Sequence, residues 1–411
     1  MTGPEAGLPS LESIDLYDPE RYRSGAQHAA WHVLREKEPL WEQQTPDGHT
    51  FWSVTTYRDV ANVLMDDKTF TSEHGTILAV AGGDSAGGKT INLMDQPKHA
   101  RVRVPTMRTM STRVMRERRD IVRGHVRDMV RDAFVSGEQV DMADLLLRLP
   151  MAGIGEVLGI PQDMWDHLPR WALAGVAPSD PGYSVSSEPE TLSNAHYQLF
   201  AAFTDLIKER RRKRRDDVIS VLLDLDFGGR RLDDREVLLN CYSFAMGAIT
   251  TTPQVASHML LAMVEQPAAW RKLREDPALV PLAVEEALRW SSPTNHVMRR
   301  TLAPTLIRGT LLGEGELVCA WIASADRDES VFADPYTFDP GRKPNPHLGF
   351  GIGTHRCIGG PAAQVALAAL LKEMVEGLSG FELMGEVSHL YSNFINGITS
   401  LPMVFHPRSG A

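Results

Sequence analysis

Apolar residues recur at intervals of three and four along several stretches of the chain, with charged residues between them. This spacing places the apolar side chains on one face of an α-helix, so it predicts amphipathic helices. The clearest helical segments are residues 115–134, 252–276, 278–290 and 361–378. Patterns typical of β-strands are shorter, and they lie at residues 49–55, 305–323 and 401–406. The chain is therefore predicted to be mainly α with small β-sheets.

Two segments lack this periodicity and contain many loop-forming residues. Residues 72–92 are rich in glycine, and residues 175–194 are rich in serine and proline. Long loops inside a compact domain often serve as lids or binding loops, so both segments are candidates for ligand contact, with plain surface loops as the alternative. Residues 208–217 form a basic run bracketed by acidic residues without interleaved aromatics, which favours a solvated helix end over a nucleic-acid site.

Charge and composition exclude several classes of partner. The 411-residue chain has a net charge of −10, so no nucleic-acid partner is expected. No apolar run approaches the roughly 18–20 residues that span a bilayer. The acidic N-terminal stretch also lacks the apolar core of a signal peptide, so we expect a cytoplasmic protein without a membrane partner. Without repeats or a low-complexity linker, residues 1–411 are predicted to form a single catalytic domain.

The three cysteines, Cys241, Cys319 and Cys357, are far apart and odd in number. Disulfide frameworks, zinc sites and iron–sulfur clusters need several clustered thiols, so none of these is expected. Cys241 and Cys319 are interpreted as buried structural residues. If a cysteine has a chemical role, it therefore acts alone.

Cys357 differs because it lies in the glycine-rich stretch "HLGFGIGTHRCIGG". Glycines allow the backbone close approaches that a Cβ would prevent, as is needed against a flat and bulky object. Loop N–H groups and the neighbouring His355 and Arg356 can stabilise a thiolate. The helix predicted at 361–378 begins just after the cysteine and adds the positive end of its dipole.

The spacing of this loop resembles the haem-binding loop of the cytochrome P-450 family in Phe350, Gly353, His355, Cys357 and Gly359. The resemblance implies haem b (iron protoporphyrin IX) as the cofactor and Cys357 as the proximal ligand of its iron. It further implies that Phe350 packs beside the sulfur and that Gly359 lets the loop lie against the porphyrin. The implied fold is that of a cytochrome P-450, with the haem buried between a long central helix and the cysteine loop.

Other family motifs follow in the same order along the chain. Glu286 and Arg289 resemble the family's Glu-x-x-Arg pair, and Arg342 of the following segment is expected to join them as structural scaffold. The chain departs from the family pattern after the cysteine, where Gln364 and Ala366 replace the usual arginine and glutamate.

The resemblance also implies contacts to the haem propionates, which are carboxylates and favour fixed cations. His99 and Arg103 match the family's His-x-x-x-Arg segment. Arg300 is expected to contribute from the next strand, with Arg299 as the alternative, and His355 is expected to be a fourth contact.

Residues 244–254 occupy the place of the family's central helix over the iron, where the usual pattern ends in an acid followed by threonine. Counting back from the Glu-x-x-Arg helix puts Gly247 and Ala248 at two small positions, Thr250 at the acid and Thr251 at the alcohol. The small residues would leave room over the iron beside the haem. Thr251 would hydrogen-bond dioxygen or a water, and Thr250 would share this catalytic site without the acid's charge.

The resemblance implies a monooxygenase that uses O2 to hydroxylate or otherwise oxidise a small organic molecule, with secondary metabolism as the expected setting. Electrons are expected from a separate ferredoxin and ferredoxin reductase, docking near Arg101, Arg108 and Arg113. The missing acid keeps an alternative open, namely a haem-thiolate enzyme for oxidative coupling, peroxygenation or isomerisation that inserts no oxygen from O2. A non-enzymatic haem sensor is a second alternative. Substrate contacts are expected at Phe244, Ala248, Thr294, Asn295, His296 and Ile398.

Overall fold

Helices dominate the computed structural model, which describes residues 7–226 and 229–408. The α-helices of these residues are α1 (Glu20–Arg23), α2 (Gln27–Lys37), α3 (Tyr57–Met65), α4 (Lys98–Thr109), α5 (Thr112–Glu117), α6 (Arg119–Val135), α7 (Met142–Leu146), α8 (Leu149–Leu158), α9 (Leu168–Val176), α10 (Glu188–Arg212), α11 (Val218–Asp224), α12 (Asp234–Ile249), α13 (Thr252–Glu265), α14 (Pro267–Glu275), α15 (Val280–Ser291), α16 (Ile322–Ala325) and α17 (Gly360–Gly377).

The strands are short and form small sheets. They are β1 (Leu40–Gln44), β2 (Thr50–Val54), β3 (Phe70–Thr71), β4 (Val140–Asp141), β5 (Val297–Thr301), β6 (Thr305–Ile307), β7 (Thr310–Leu312), β8 (Leu317–Ala320), β9 (Leu378–Leu383), β10 (Ser388–His389), β11 (Ile398–Ser400) and β12 (Pro402–Pro407). The largest sheet has the order β1-β2-β8-β5-β3, in which only the β2–β8 pair is parallel. The fold is mainly α with small β-sheets, as the apolar pattern predicts.

The periodic segments form helices with local adjustments at prolines. Residues 252–276 divide into α13 and α14 at Gln266, because Pro267 disfavours a helical backbone for the residue before it. Within the part of the chain that the structure describes, no helix is both long and apolar enough to cross a membrane.

The serine- and proline-rich segment, predicted as a loop, is partly helical. Of residues 175–194, the last seven belong to α10, and α9 ends at Val176. Ser187 precedes the helix in an extended conformation, proline lies in the first turn, and Glu188 and Glu190 complement the helix dipole. The same residues that are typical of loops therefore also start a helix here. The glycine-rich segment 72–92 remains irregular apart from two short 3₁₀ turns, Leu78–Val80 and Ile91–Leu93.

The basic run at 208–217 forms the end of α10 and the turn after it. Arg211 pairs with Asp234, and Arg214 pairs with Asp224, at the surface. Arg210 is instead buried, where its Nε donates to Asp217. The run is therefore a helix end held by carboxylates, in agreement with the sequence interpretation.

The main apolar core lies among α6, α8, α12, α13, α15 and α17, and it holds the helices on which the candidate site is built. α17 crosses α8 closely, since a Cβ at Gly153 would lie 3.0 Å from the Cβ of Ala366. A glutamate at position 366 would enter this contact between small residues. Helix packing therefore gives a physical reason for the departure from the family pattern at Ala366.

Candidate active site

The cysteine loop runs from residue 347 to residue 360 and is shaped by its own backbone. The N–H of Cys357 donates to the carbonyl of Phe350 at 2.7 Å. Gly353 has φ 75°, and a Cβ there would lie only 2.7 Å from the carbonyl oxygen of Leu64 in α3. Only glycine satisfies both conditions, so this position fixes the loop against α3.

Cys357 keeps part of its surface exposed to solvent while protein atoms surround its thiol, whereas Cys241 and Cys319 are buried. Burial raises the pKa of the Cys357 thiol, while the N–H groups of Gly359 and Gly360 and the charges of Arg103 and Arg356 act to lower it. Burial also raises the pKa of the other two thiols, without any cation to oppose it. The net pKa of Cys357 stays above its ordinary value, but Cys357 is the one thiol of the three with cations beside it that would stabilise a thiolate.

Basic side chains gather beside the loop. The rings of His99 and His355 lie 4.3 Å apart between centroids, and Arg103 donates to the carbonyl of Arg356. Burial and the charge of Arg103 lower the pKa of His99 to about 4. His99 is fully buried, and within the described residues neither of its ring nitrogens has a hydrogen-bond partner. This cluster therefore has the character of a site for an anion.

Arg299, rather than Arg300, belongs to this basic cluster. Burial and the charge of Arg299, with smaller contributions from His99 and Arg103, lower the pKa of His355 to about 3. Burial lowers the pKa of Arg299 itself to about 10, against the opposing charge of Asp95.

Arg300 lies on the opposite face of β5, because successive side chains of a strand alternate. Its guanidinium donates to the carbonyls of Ala81 and Gly315, each at 3.1 Å. The structure therefore favours the alternative, Arg299, over Arg300 as the arginine beside His355.

His355 is held by a second interaction, which the sequence alone does not indicate. Its Nε2 lies 3.3 Å from Ser72 Oγ, and the N–H of Ser72 donates to Asp95 Oδ1 at 3.1 Å. Thr71 also donates to the carboxylate of Asp95. The start of the glycine-rich segment therefore orients the histidine of the cysteine loop.

The central helix is interrupted at the two threonines, since α12 ends just before them and α13 begins just after them. Thr250 Oγ1 donates to the carbonyl of Met246 at 2.8 Å, and Thr251 Oγ1 donates to that of Gly247 at 2.9 Å. Hydroxyls that bond one turn back compete with the helical hydrogen bonds and favour such a break. Thr250 is buried, whereas Thr251 is half-buried and available for a ligand.

One face of the second half of α12, continued by Thr251 beyond the end of the helix, is open. Ser243, Gly247 and Thr251 are four residues apart, so they lie on one face, and none of them is buried. Ser243 Oγ donates to Oδ1 of the exposed Asn92 at 2.7 Å. The four-residue spacing was the available sequence signal for Ser243, but nothing in the sequence pairs it with Asn92.

These features fit the haem that the resemblance implies. A Cβ at Gly247 or Gly351 would meet no heavy atom within 4 Å, so the backbone there borders open space. The thiol of Cys357 has N–H donors, and the unpartnered nitrogens of His99 suit the carboxylates of a cofactor.

The scaffold predicted around Glu286 is confirmed. Both Glu286 oxygens accept from Arg289, at 2.7 and 2.8 Å, and Arg342 Nε adds contacts at 3.0 and 3.1 Å. Glu286 and Arg289 are fully buried. The backbone N–H of Asp339 and the amide of Asn345 also donate to Glu286, so this one carboxylate joins α15 to the segment that leads to the cysteine loop.

Gln364 also has a structural place. Its Nε2 donates to Glu285 at 2.6 Å, and the other Glu285 oxygen lies 3.0 Å from His347 Nε2. Burial raises the pKa of Glu285, but the hydrogen bonds from His347 and Gln364 outweigh it and hold the pKa below its ordinary value. The glutamine thus links α15, α17 and the first residue of the cysteine loop through a neutral donor.

Two of the polar residues predicted to contact substrate are fully buried. His296 is fully buried, its Nε2 accepts from the N–H of Leu78, and its Nδ1 donates to the carbonyl of Asn393, both at 3.2 Å. Burial lowers its pKa to about 3, so it is neutral. Asn295 is also fully buried and donates to Asn393. Both ring nitrogens of His296 therefore have partners, whereas Asn295 Oδ1 has no hydrogen-bond partner among the described residues. The contact of these two residues with substrate stays a prediction.

The remaining predicted substrate residues differ in exposure. Phe244 and Ile398 are buried within the main core. Ala248 and Thr294 are half-buried, and Thr294 pairs through its backbone with Ile395. Ala248 follows Gly247 of α12 and is itself half-buried, whereas Phe244 follows Ser243 and is buried.

Comparison with known proteins gives a consistent result. A family model described as Cytochrome P450 matches residues 183–385. Cytochrome P450 NovI of Streptomyces niveus is 31% identical over 406 residues, which is 98% of each chain. Linalool 8-monooxygenase of Pseudomonas putida is 29% identical over 409 residues, covering 97% of this chain and 100% of that one. The crystal structure of P450 OxyD, involved in the biosynthesis of vancomycin-type antibiotics, superimposes with a TM-score of 0.87 at 32% identity, covering 96% of this chain and 100% of that one.

Proposed function

The chain belongs to the cytochrome P450 family of haem-thiolate monooxygenases, and from this premise we propose that it oxidises a natural-product intermediate. The observation that carries the haem-thiolate chemistry of this proposal is the setting of Cys357, with N–H donors at the sulfur and basic residues beside the loop. The similarity of the whole chain to OxyD, which is involved in antibiotic biosynthesis, favours a natural-product intermediate as the substrate over a central metabolite.

In this proposal haem b is the cofactor, with Cys357 as its iron ligand. His99, Arg103, Arg299 and His355 would hold the propionates. When bound, a haem iron with a thiolate ligand supplies the reductive activation of O2. The chain itself orients the substrate and controls access of water and protons.

Arg299→Gln is expected to weaken haem retention about tenfold or more, because a charge-assisted hydrogen bond contributes about 1.5–3 kcal/mol. The matched variant Arg300→Gln removes contacts to two backbone carbonyls and should leave haem retention near that of the parent protein. Haem transfer to excess apomyoglobin measures both. Faster haem loss from the Arg300 variant would restore the original sequence assignment.

Thr251 is proposed to hold and relay a proton at its Oγ1, which now donates to Gly247. The hydroxyl is not itself a useful acid at neutral pH, so a water or a substrate group must supply the proton. Thr250 is buried and bonded to its own helix, which suits a smaller part in this relay.

We therefore expect Thr251→Ala to lower the product formed per electron consumed and to raise the yield of peroxide. Thr250→Ala should do less. The measurement is product, peroxide and NAD(P)H consumption in parallel on one substrate. Unchanged coupling in Thr251→Ala would contradict the relay.

The proposal includes a ferredoxin and its reductase as electron donors, and a cytoplasmic location. Helix α4 supports the docking of such an electron donor, because it borders the cysteine loop through Arg103 and exposes Val104 and Met107 beside Arg108. An apolar patch with cations around it suits an acidic protein partner.

Isotopically labelled dioxygen tests the proposed reaction. One labelled oxygen atom should appear in the product during electron-driven turnover. Turnover without label would favour the coupling or isomerising chemistry, for which the neutral Thr250 at the usual acid position is the specific observation.

A further inference from the structure

The polar pair of Asn92 and Ser243 lies at one end of the open face of α12. Asn92 is exposed although its two neighbours, Ile91 and Leu93, are buried. Among the described residues, the Asn92 side chain has one hydrogen bond to another side chain. Its Oδ1 accepts from Ser243 Oγ at 2.7 Å.

The position of the pair is fixed by Asn240, one turn before Ser243. Asn240 Oδ1 accepts from the N–H of Ile91 at 2.9 Å, and its Nδ2 donates to the carbonyls of Lys89 and Glu236 at 2.9 and 2.8 Å. Asn240 is fully buried, and these three hydrogen bonds fix its side chain. Ser243 precedes Thr251 by eight residues, which is about 12 Å along a helix axis.

The pair offers one donor side and one acceptor side. With Ser243 donating to Oδ1, the amide nitrogen of Asn92 remains a donor and the serine oxygen remains an acceptor. If the amide is turned over, the roles exchange and the pair still presents one of each. Neither side chain carries charge, so a neutral group with adjacent donor and acceptor matches it best.

We propose that Asn92 and Ser243 bind a neutral amide group of the substrate, about 12 Å along the helix from Thr251. The inference rests on the proposed function and narrows its substrate class to amide-bearing molecules. The amide carbonyl would accept from one member of the pair, and the amide N–H would donate to the other.

Spectral titration of the ferric holoenzyme tests this inference with matched probes, which are dodecanamide, methyl dodecanoate and dodecanoate. The amide should bind more tightly than the ester or the carboxylate, as seen in the spin-state change. Asn92→Leu and Ser243→Ala should each weaken amide binding about three- to tenfold and weaken ester binding less, because an ester keeps the carbonyl acceptor but has no N–H to donate. The double variant should lose less than the sum, because both residues bind one group.

Ser85→Ala is the control, since Ser85 is an exposed serine of the same glycine-rich segment. It should bind all three probes as the parent protein does. An equal loss for amide and ester, no loss in either variant, or tighter binding of the carboxylate would overturn the inference.

The titration needs neither electrons nor dioxygen, so its failure is separable from that of the proposed function. Unlabelled product with an intact amide preference would overturn only the proposed reaction. Labelled product without an amide preference would overturn only the role of Asn92 and Ser243.

Discussion

Cys357→Ala is expected to abolish the long-wavelength Soret band that the reduced, carbon monoxide-bound protein should show, together with all electron-driven oxidation. Alanine has no sulfur, and the N–H groups that face the sulfur cannot themselves bind iron. The measurement is the reduced carbon monoxide difference spectrum, supported by haem content per chain.

Cys241→Ala and Cys319→Ala are the matched controls for this result. Both residues are buried away from basic groups, and each substitution removes only one sulfur atom from a packed site. We expect both to keep the band, with a moderate loss of stability. Retention of the band by the Cys357 variant would refute the ligand assignment.

Glu286→Gln is expected to lower the free energy of unfolding by about 3–5 kcal/mol, because it leaves a buried arginine without its counter-charge. Arg289 is fully buried, and Arg342 depends on the same carboxylate. Urea unfolding followed by circular dichroism measures the change, and a low yield of haem-loaded protein should accompany it.

Glu285→Gln provides the comparison at the adjacent position of the same helix. Its carboxylate is partly exposed and bonded to His347 and Gln364, so we expect a loss of about 1 kcal/mol. Equal losses in the two variants would show that the Glu286 network has no special part in stability.

Local signals were sufficient for the most strongly periodic helices and for the cysteine loop, but not for the start of α10. The apolar repeat of α6 and α17 reflects burial along one helix face, and the glycines around Cys357 reflect backbone needs within one loop. The Glu286 network was also predictable, because its three members lie in ordered motifs.

Assignments that depend on tertiary contacts were less accessible. Arg299 and Arg300 are adjacent, and only the pairing of β5 with β8 and β3 decides which of them faces His355. Asn295 and His296 have the polarity of ligand contacts, but partners distant in sequence bury them. The contact between Asn92 and Ser243 spans about 150 residues of chain and leaves no local pattern.

His296 shapes the glycine-rich segment from a fully buried position. It holds Leu78, while Asn240 holds the far end of the same glycine-rich segment at Ile91. The segment is thus fixed at two points, and the shape of the turn between them depends on two fully buried side chains. A library for new substrates should therefore vary His296 and Asn240. Mutagenesis restricted to exposed positions would leave the backbone conformation of the glycine-rich segment unchanged.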